Sequence, residues 1–221
     1  MGIIILLLAG LGVIAAWWLS RQRLMSKPWL EEGAAGEFPG TGVSAVSTAK
    51  IGLGVFLAVV GALFALFMSA YVMRMSVADW RPVPKPTVLW FNTGVLILSS
   101  AALQWAQEAA ARRDMVAVRT ALMAAGATVF AFLIGQLLAW QQLNAGGYYL
   151  ASNPASTFFY LLTAVHGLHL LGGLIALGRT ALRARGGVDP DRLRLSLELC
   201  AMYWHFLLLV WLVLFALLFI T

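Results

Sequence analysis

Six stretches of this chain are almost unbroken apolar sequence: about 2–19, 51–73, 87–107, 120–142, 156–178 and 197–220. Each is close to the roughly 20 residues a helix needs to cross a hydrocarbon core about 30 Å thick. The pattern predicts an all-α membrane protein, a bundle of six transmembrane helices joined mostly by short loops. The one long connection, 21–50, holds Gly33, Gly36, Pro39, Gly40 and Gly42 among Glu31, Glu32 and Glu37, which reads as an irregular polar linker. It separates an appended N-terminal helix (1–20) from a five-helix body (51–221). Between the second and third runs, Pro82, Pro84 and Pro86 follow Trp80. Three prolines this close favour extended backbone, so 80–86 is expected to form a stiff strap.

Loop charge orients the bundle. The first loop carries Arg21, Arg23, Lys27 and Lys50, the third Arg112, Arg113 and Arg119, and the fifth Arg179, Arg183, Arg185, Arg192 and Arg194. The second has only Arg74, Arg81 and Lys85, and the fourth, 144–154, has none. Basic loops stay in the cytoplasm. The odd loops are therefore expected inside and both termini outside. The run 2–19 has no basic residue before it and no small-residue cleavage motif after it, so it reads as a retained anchor rather than a signal peptide.

Composition agrees. Of 221 residues, 62% are hydrophobic and 11% charged, against about 25% charged in an ordinary soluble domain. The formal net charge of +6 follows from the loops, and no basic surface interleaved with aromatics suggests nucleic acid. A single cysteine, Cys200, excludes a disulfide framework and a thiolate metal cluster built from this sequence alone.

Polar residues inside the runs are the candidate functional groups, because in lipid they mark helix contacts or pathways. In the third run Thr93, Ser100, Gln104 and Gln107 recur on one face, with Asn92 and Ser99 beside them; hydrogen bonds between helices are the expected use. Gln136 in the fourth run sits deep enough to need an amide partner. The second run, rich in Gly54, Ala58, Gly61, Ala62 and Ala65, is expected to be a tightly packed central helix. His166, His169 and His205 invite a metal or haem reading, but three imidazoles and one thiol are few for that chemistry. Glu198 is expected to pair with Arg194 one turn earlier. Glu108 and Asp114, near Arg112 and Arg113, are expected to form an interfacial ion-pair cluster.

Two of these segments carry a resemblance. Ser156 to Gly173 (STFFYLLTAVHGLHLLGG) is similar to the penultimate helix of subunit III of the haem–copper oxidases. Glu198 to Phe206 (ELCAMYWHF), followed by Val210 and Trp211, is similar to that family's last helix. The third run, with Leu89 to Thr93 (LWFNT), Ser99, Ser100, Gln104 and Trp105, resembles another of its helices. The second, with Gly54 to Leu57, Leu63, Phe64, Phe67, Ala70 and Tyr71, resembles the first characteristic segment of short bacterial forms. The resemblance spans about 50–221 and leaves 2–19 without a counterpart.

What the resemblance implies is a non-catalytic subunit of a bacterial terminal oxidase in aerobic electron transport, a multi-pass protein of the inner membrane. It implies no cofactor, catalytic residue or metal site in this chain. Haems and copper belong to partner subunits: subunit I with its haems and Cu(B), and subunit II, with further small subunits or a supercomplex beyond them. It also implies bound phospholipid in a cleft between helices. Asn92, Gln136, His166, His169, Glu198, Trp204 and His205 are then expected to serve packing, lipid binding and docking. Two departures limit the analogy. Family members usually carry an intramembrane Glu where Val60 stands, and an Asp where Leu208 stands. Other readings are a subunit III-like component of a quinol oxidase or nitric oxide reductase complex, a small transporter, and an independent membrane haem enzyme.

Overall fold

A computed structural model describes residues 48–186 and 190–220, together with Val13. The expected first helix, Val13 apart, and most of the linker lie outside the described residues. Five helices are present: α1 (Thr48–Arg74), α2 (Val88–Ala111), α3 (Met115–Ala145), α4 (Pro154–Arg185) and α5 (Pro190–Ile220). Each contains a segment long and apolar enough to cross a membrane. No strand occurs among the described residues. The chain divides into two compact units, Met1–Gly54 and Val55–Thr221; α1 begins in the first, and the second holds the bundle.

The helices begin where local chemistry tells them to. Asp114 caps α3 by accepting from the Ala117 N–H at 3.0 Å. Asn153 caps α4 by accepting from Ser156 N–H at 3.0 Å, and Pro154 follows as the first helical residue, where its missing N–H is no loss. The turn between α2 and α3 is tight enough to hold Arg113 at φ 59°, a region that L-residues enter only at a cost. Asp114 is thus a helix cap, and among the described residues no ion pair joins Glu108 or Asp114 to Arg112 or Arg113. The expected ion-pair cluster does not form; the Asp114 carboxylate serves as the α3 cap instead.

Four helices close into a ring: α2 packs on α3 and α5, and α4 packs on α3 and α5. The α2–α3 contact is the most extensive. Its buried small residues, Ser99, Ala106 and Ala109 on α2 and Ala121, Ala125 and Gly135 on α3, let the backbones approach closely. The expectation that the second apolar run forms the tightly packed central helix is overturned. No Cα of Val55–Arg74 lies within 8 Å of another described helix. Ala58 and Ala62 face outward, and the Gly61 position faces the ring of Phe206. Instead α1 reaches the ring through aromatic side chains: Phe56 stacks on Tyr203, Phe64 meets His166 and His169, and Tyr71 meets Phe158.

Residues 80–86, the expected strap, form neither helix nor strand. Arg74 closes the end of α1 by donating to Asp79 at 2.7 and 2.5 Å. Trp80 packs edge-on against Tyr71. At the far end of the strap Lys85 donates to the Phe219 carbonyl and lies over the Phe219 ring. The C-terminal end of α5 is therefore at the same end of the bundle as the strap.

Candidate functional site

The centre of the ring is polar in places where an ordinary lipid-soluble core would be aliphatic. His166 is fully buried on α4. Its ring is walled by Trp211 at 5.2 Å, Phe132 at 5.8 Å and Phe64 at 6.3 Å between centroids. Among the described residues, neither ring nitrogen meets a hydrogen-bond partner. One turn along α3 from Phe132, Gln136 accepts from the Asn92 amide at 3.2 Å, so the expected amide bond between helices exists, with both residues buried. Asn92 fits there because Gly135 has no side chain: a Cβ would stand 2.0 Å from its Oδ1.

A second tie crosses the same core. Trp211 on α5 donates its indole N–H to Thr93 Oγ1 at 3.0 Å, and Thr93 donates in turn to the Leu89 carbonyl at 2.9 Å. Ser99 reaches the Ala125 carbonyl on α3, and Gln107 reaches the Leu197 carbonyl on α5. The polar face of α2 therefore joins two neighbouring helices, as its spacing suggested. Gln104 is instead exposed in a groove between α2 and α5, and Ser100 is buried with no hydrogen bond to another helix among the described residues.

The three histidines do not converge. His169, half-buried, has its Nδ1 2.8 Å from the Val165 carbonyl of its own helix and its ring 5.5 Å from Phe64. His205 lies on α5 with its Nδ1 against the Ala201 carbonyl, and its side chain is exposed. Among the described residues, no three His, Cys, Asp or Glu side chains come together as a metal site would require. Trp204 is fully buried and lies against the backbone at Gly173, where a Cβ would come within 2.5 Å of its ring. Glu198 pairs with Arg194 at 3.5 Å, as expected from their spacing.

Several ties escaped the sequence reading. Tyr203 donates to the His169 carbonyl at 2.8 Å, Trp140 to Thr163 at 3.0 Å, and Tyr160 sits 2.9 Å from both Asn144 Oδ1 and the Tyr148 carbonyl. Each is an aromatic with a polar tip inside an apolar run, and that combination was the available signal, since a buried Tyr or Trp usually finds a partner. Val60 is buried and Leu208 half-buried, so side chains that need no hydrogen-bond partner fill both positions.

Comparison with known proteins places this arrangement. The sequence profile of the family described as "Cytochrome c oxidase subunit III" matches residues 19–221. That span takes in the linker as well as all five described helices, and starts earlier than the residue-by-residue resemblance did. Among curated proteins, "Cytochrome c oxidase subunit 3" of Synechocystis sp. is 31% identical over 175 residues, covering 76% of this chain and 74% of that one. The protein of the same name in Thermostichus vulcanus is 30% identical over 175 residues, covering 77% and 86%. A "Probable cytochrome c oxidase subunit 3" of Mycobacterium tuberculosis is 33% identical over 159 residues, covering 69% and 76%. The chain belongs to the cytochrome c oxidase subunit III family and is a membrane-spanning subunit III of a terminal oxidase.

Proposed function

We propose that this chain is the non-catalytic subunit III of a bacterial cytochrome c oxidase, holding subunit I steady in the cytoplasmic membrane alongside subunit II. The family match over 19–221 carries the reading. The placement of the histidines supports the non-catalytic part. Haem and copper chemistry uses imidazoles that converge on one centre. Here His166 is walled by aromatic rings, while His169 and His205 turn Nδ1 to carbonyls of their own helices. The haems and copper are assigned to the partner subunits, and the ring's buried amide, hydroxyl and indole ties make it a stiff body to lean on.

Loop charge gives the orientation. The end of the bundle bearing Arg112, Arg113, Arg183, Arg185 and Arg194 is cytoplasmic. The strap and the C-terminus lie at the opposite, outer end, and 2–19 adds a sixth span starting outside. Phospholipid has a place at that outer end: a groove bordered by Trp80, Pro84, Lys85, Trp90, Phe159 and Phe219. Aromatic rings with a nearby cation suit the headgroup level.

A stabilising role is tested by purifying the oxidase from cells with and without this chain. The expected outcome is an unchanged haem spectrum and a several-fold shorter half-life of activity on warming when the chain is missing. Equal half-lives would remove the stabilising role.

A further inference from the structure

His205 stands at the midpoint of α5 (Pro190–Ile220) with its side chain exposed. Its Nδ1 contacts the Ala201 carbonyl. A carbonyl only accepts, so Nδ1 carries the proton and Nε2 presents a lone pair outward. Hydrocarbon offers that lone pair no partner.

The rest of the surface shows where the exception lies. Glu198 and Leu212, two turns before and after His205, share its face. Beside it α2 turns Ile97, Gln104 and Glu108 outward, and Gln104 and Glu108 border one groove with Arg194 and Glu198. The other helices turn apolar side chains outward at mid-span: Phe130 and Ile134 on α3, Leu168 and Leu171 on α4, Val59 and Leu66 on α1. Lipid tails suit those faces. They do not suit His205.

We infer that the α2–α5 face around His205 is the docking face of this subunit. Its occupant is a transmembrane helix of a partner oxidase subunit that donates a hydrogen bond to His205 Nε2 from a hydroxyl, amide or indole. A lipid headgroup cannot serve, because it sits at the edge of the hydrocarbon, about 15 Å from the midplane. A helix that itself spans the membrane brings a donor to that depth. The inference rests on the subunit reading above and names the face that reading leaves open.

Photo-crosslinking in the assembled complex tests it. p-Benzoylphenylalanine is placed at Leu212 and Ile97 on the proposed face, and at Phe130 and Leu168 on the aliphatic faces, in full-length chain expressed with its oxidase. Adducts with a haem-bearing or copper-bearing subunit from Leu212 and Ile97 alone are expected. Adducts from Phe130 or Leu168 instead, or only lipid adducts at Leu212 and Ile97 in an intact complex, overturn the docking face and leave the function standing. A chain that purifies with no haem protein overturns both.

A second measurement uses His205 itself. His205→Gln keeps an acceptor near the Nε2 position; His205→Leu removes it. Loss of one hydrogen bond between membrane helices corresponds to roughly three- to twenty-fold weaker association. The leucine variant is therefore expected to wash off the complex in detergent more readily by that factor, with glutamine close to wild type. Equal retention of all three overturns the hydrogen bond.

Discussion

Neighbouring glycines on α4 have opposite duties. A Cβ at Gly173 would come within 2.5 Å of the Trp204 ring and 2.7 Å of Tyr203, whereas Gly172 has nothing within 4 Å. Overpacking a filled core costs about 1–3 kcal/mol, and alanine in a helix returns up to about 1 kcal/mol over glycine. Gly173→Ala should therefore lower the unfolding midpoint in detergent, and Gly172→Ala should hold or raise it. Gly135→Ala should behave like Gly173→Ala, because its Cβ would displace the Asn92 amide and break the bond to Gln136. Trp211→Phe keeps an aromatic ring but removes the N–H to Thr93 and part of the buried indole; the expected loss therefore exceeds about 0.6–1.7 kcal/mol, the size of a hydrogen bond between membrane helices. A melt indistinguishable from wild type would mean that bond contributes nothing. At this scale much was legible in advance. An amide as deep as Gln136 had to find a partner, and Arg194 and Glu198 share a face. The identity of the partner was not legible, since it depends on how the helices are rotated, and neither was the clearance at Gly135, which only the neighbouring helix determines.

Among the elements, the strap and the helix caps carry the clearest consequences. Hydrogen bonds from the Arg74 guanidinium hold the Asp79 carboxyl below the usual aspartate value. A carboxyl depressed in the folded state adds stability above its unfolded pKa, near 3.8, and loses it as pH falls through the lower folded value. Asp79→Asn should therefore lower the melting midpoint at pH 6, and the difference from wild type should vanish under strong acid. A difference that persists unchanged at low pH would mean the ion pair is not its source. Asp114→Ala removes the α3 cap, with an expected loss of about 0.5–2 kcal/mol in a stability measurement. The five described helices coincide with five of the six apolar runs but extend past most of their ends. Periods of apolar sequence mark what lies in lipid, while α4 and α5 continue into polar turns where Arg183 and Arg194 sit. That the strap leaves the helical pattern followed from its prolines. The position of α1 did not follow from its glycines and alanines. Small residues permit close approach without compelling it, and here Ala58 and Ala62 face outward while aromatics reach the neighbouring helices.

For the whole molecule, the ring of α2–α5 is held by polar ties drawn from all four of its helices. The fold class was readable from the apolar runs and the family from two motifs in order, whose key residues lie buried in the ring: His166 in the core, and Trp204 and Trp211 fully buried on one side of α5. Surface roles were less readable, since exposure of His205 appears only once its neighbours are placed. The central claim, that this is a subunit III without a redox centre of its own, is tested most directly by purifying the tagged full-length chain from native membranes in mild detergent and recording its reduced-minus-oxidised visible spectrum with copper analysis. The account predicts haem bands and copper in fixed ratio to the chain, both lost from this polypeptide when the subunits are separated. A chain that comes down free of any haem protein, or keeps a Soret band once isolated, would contradict it.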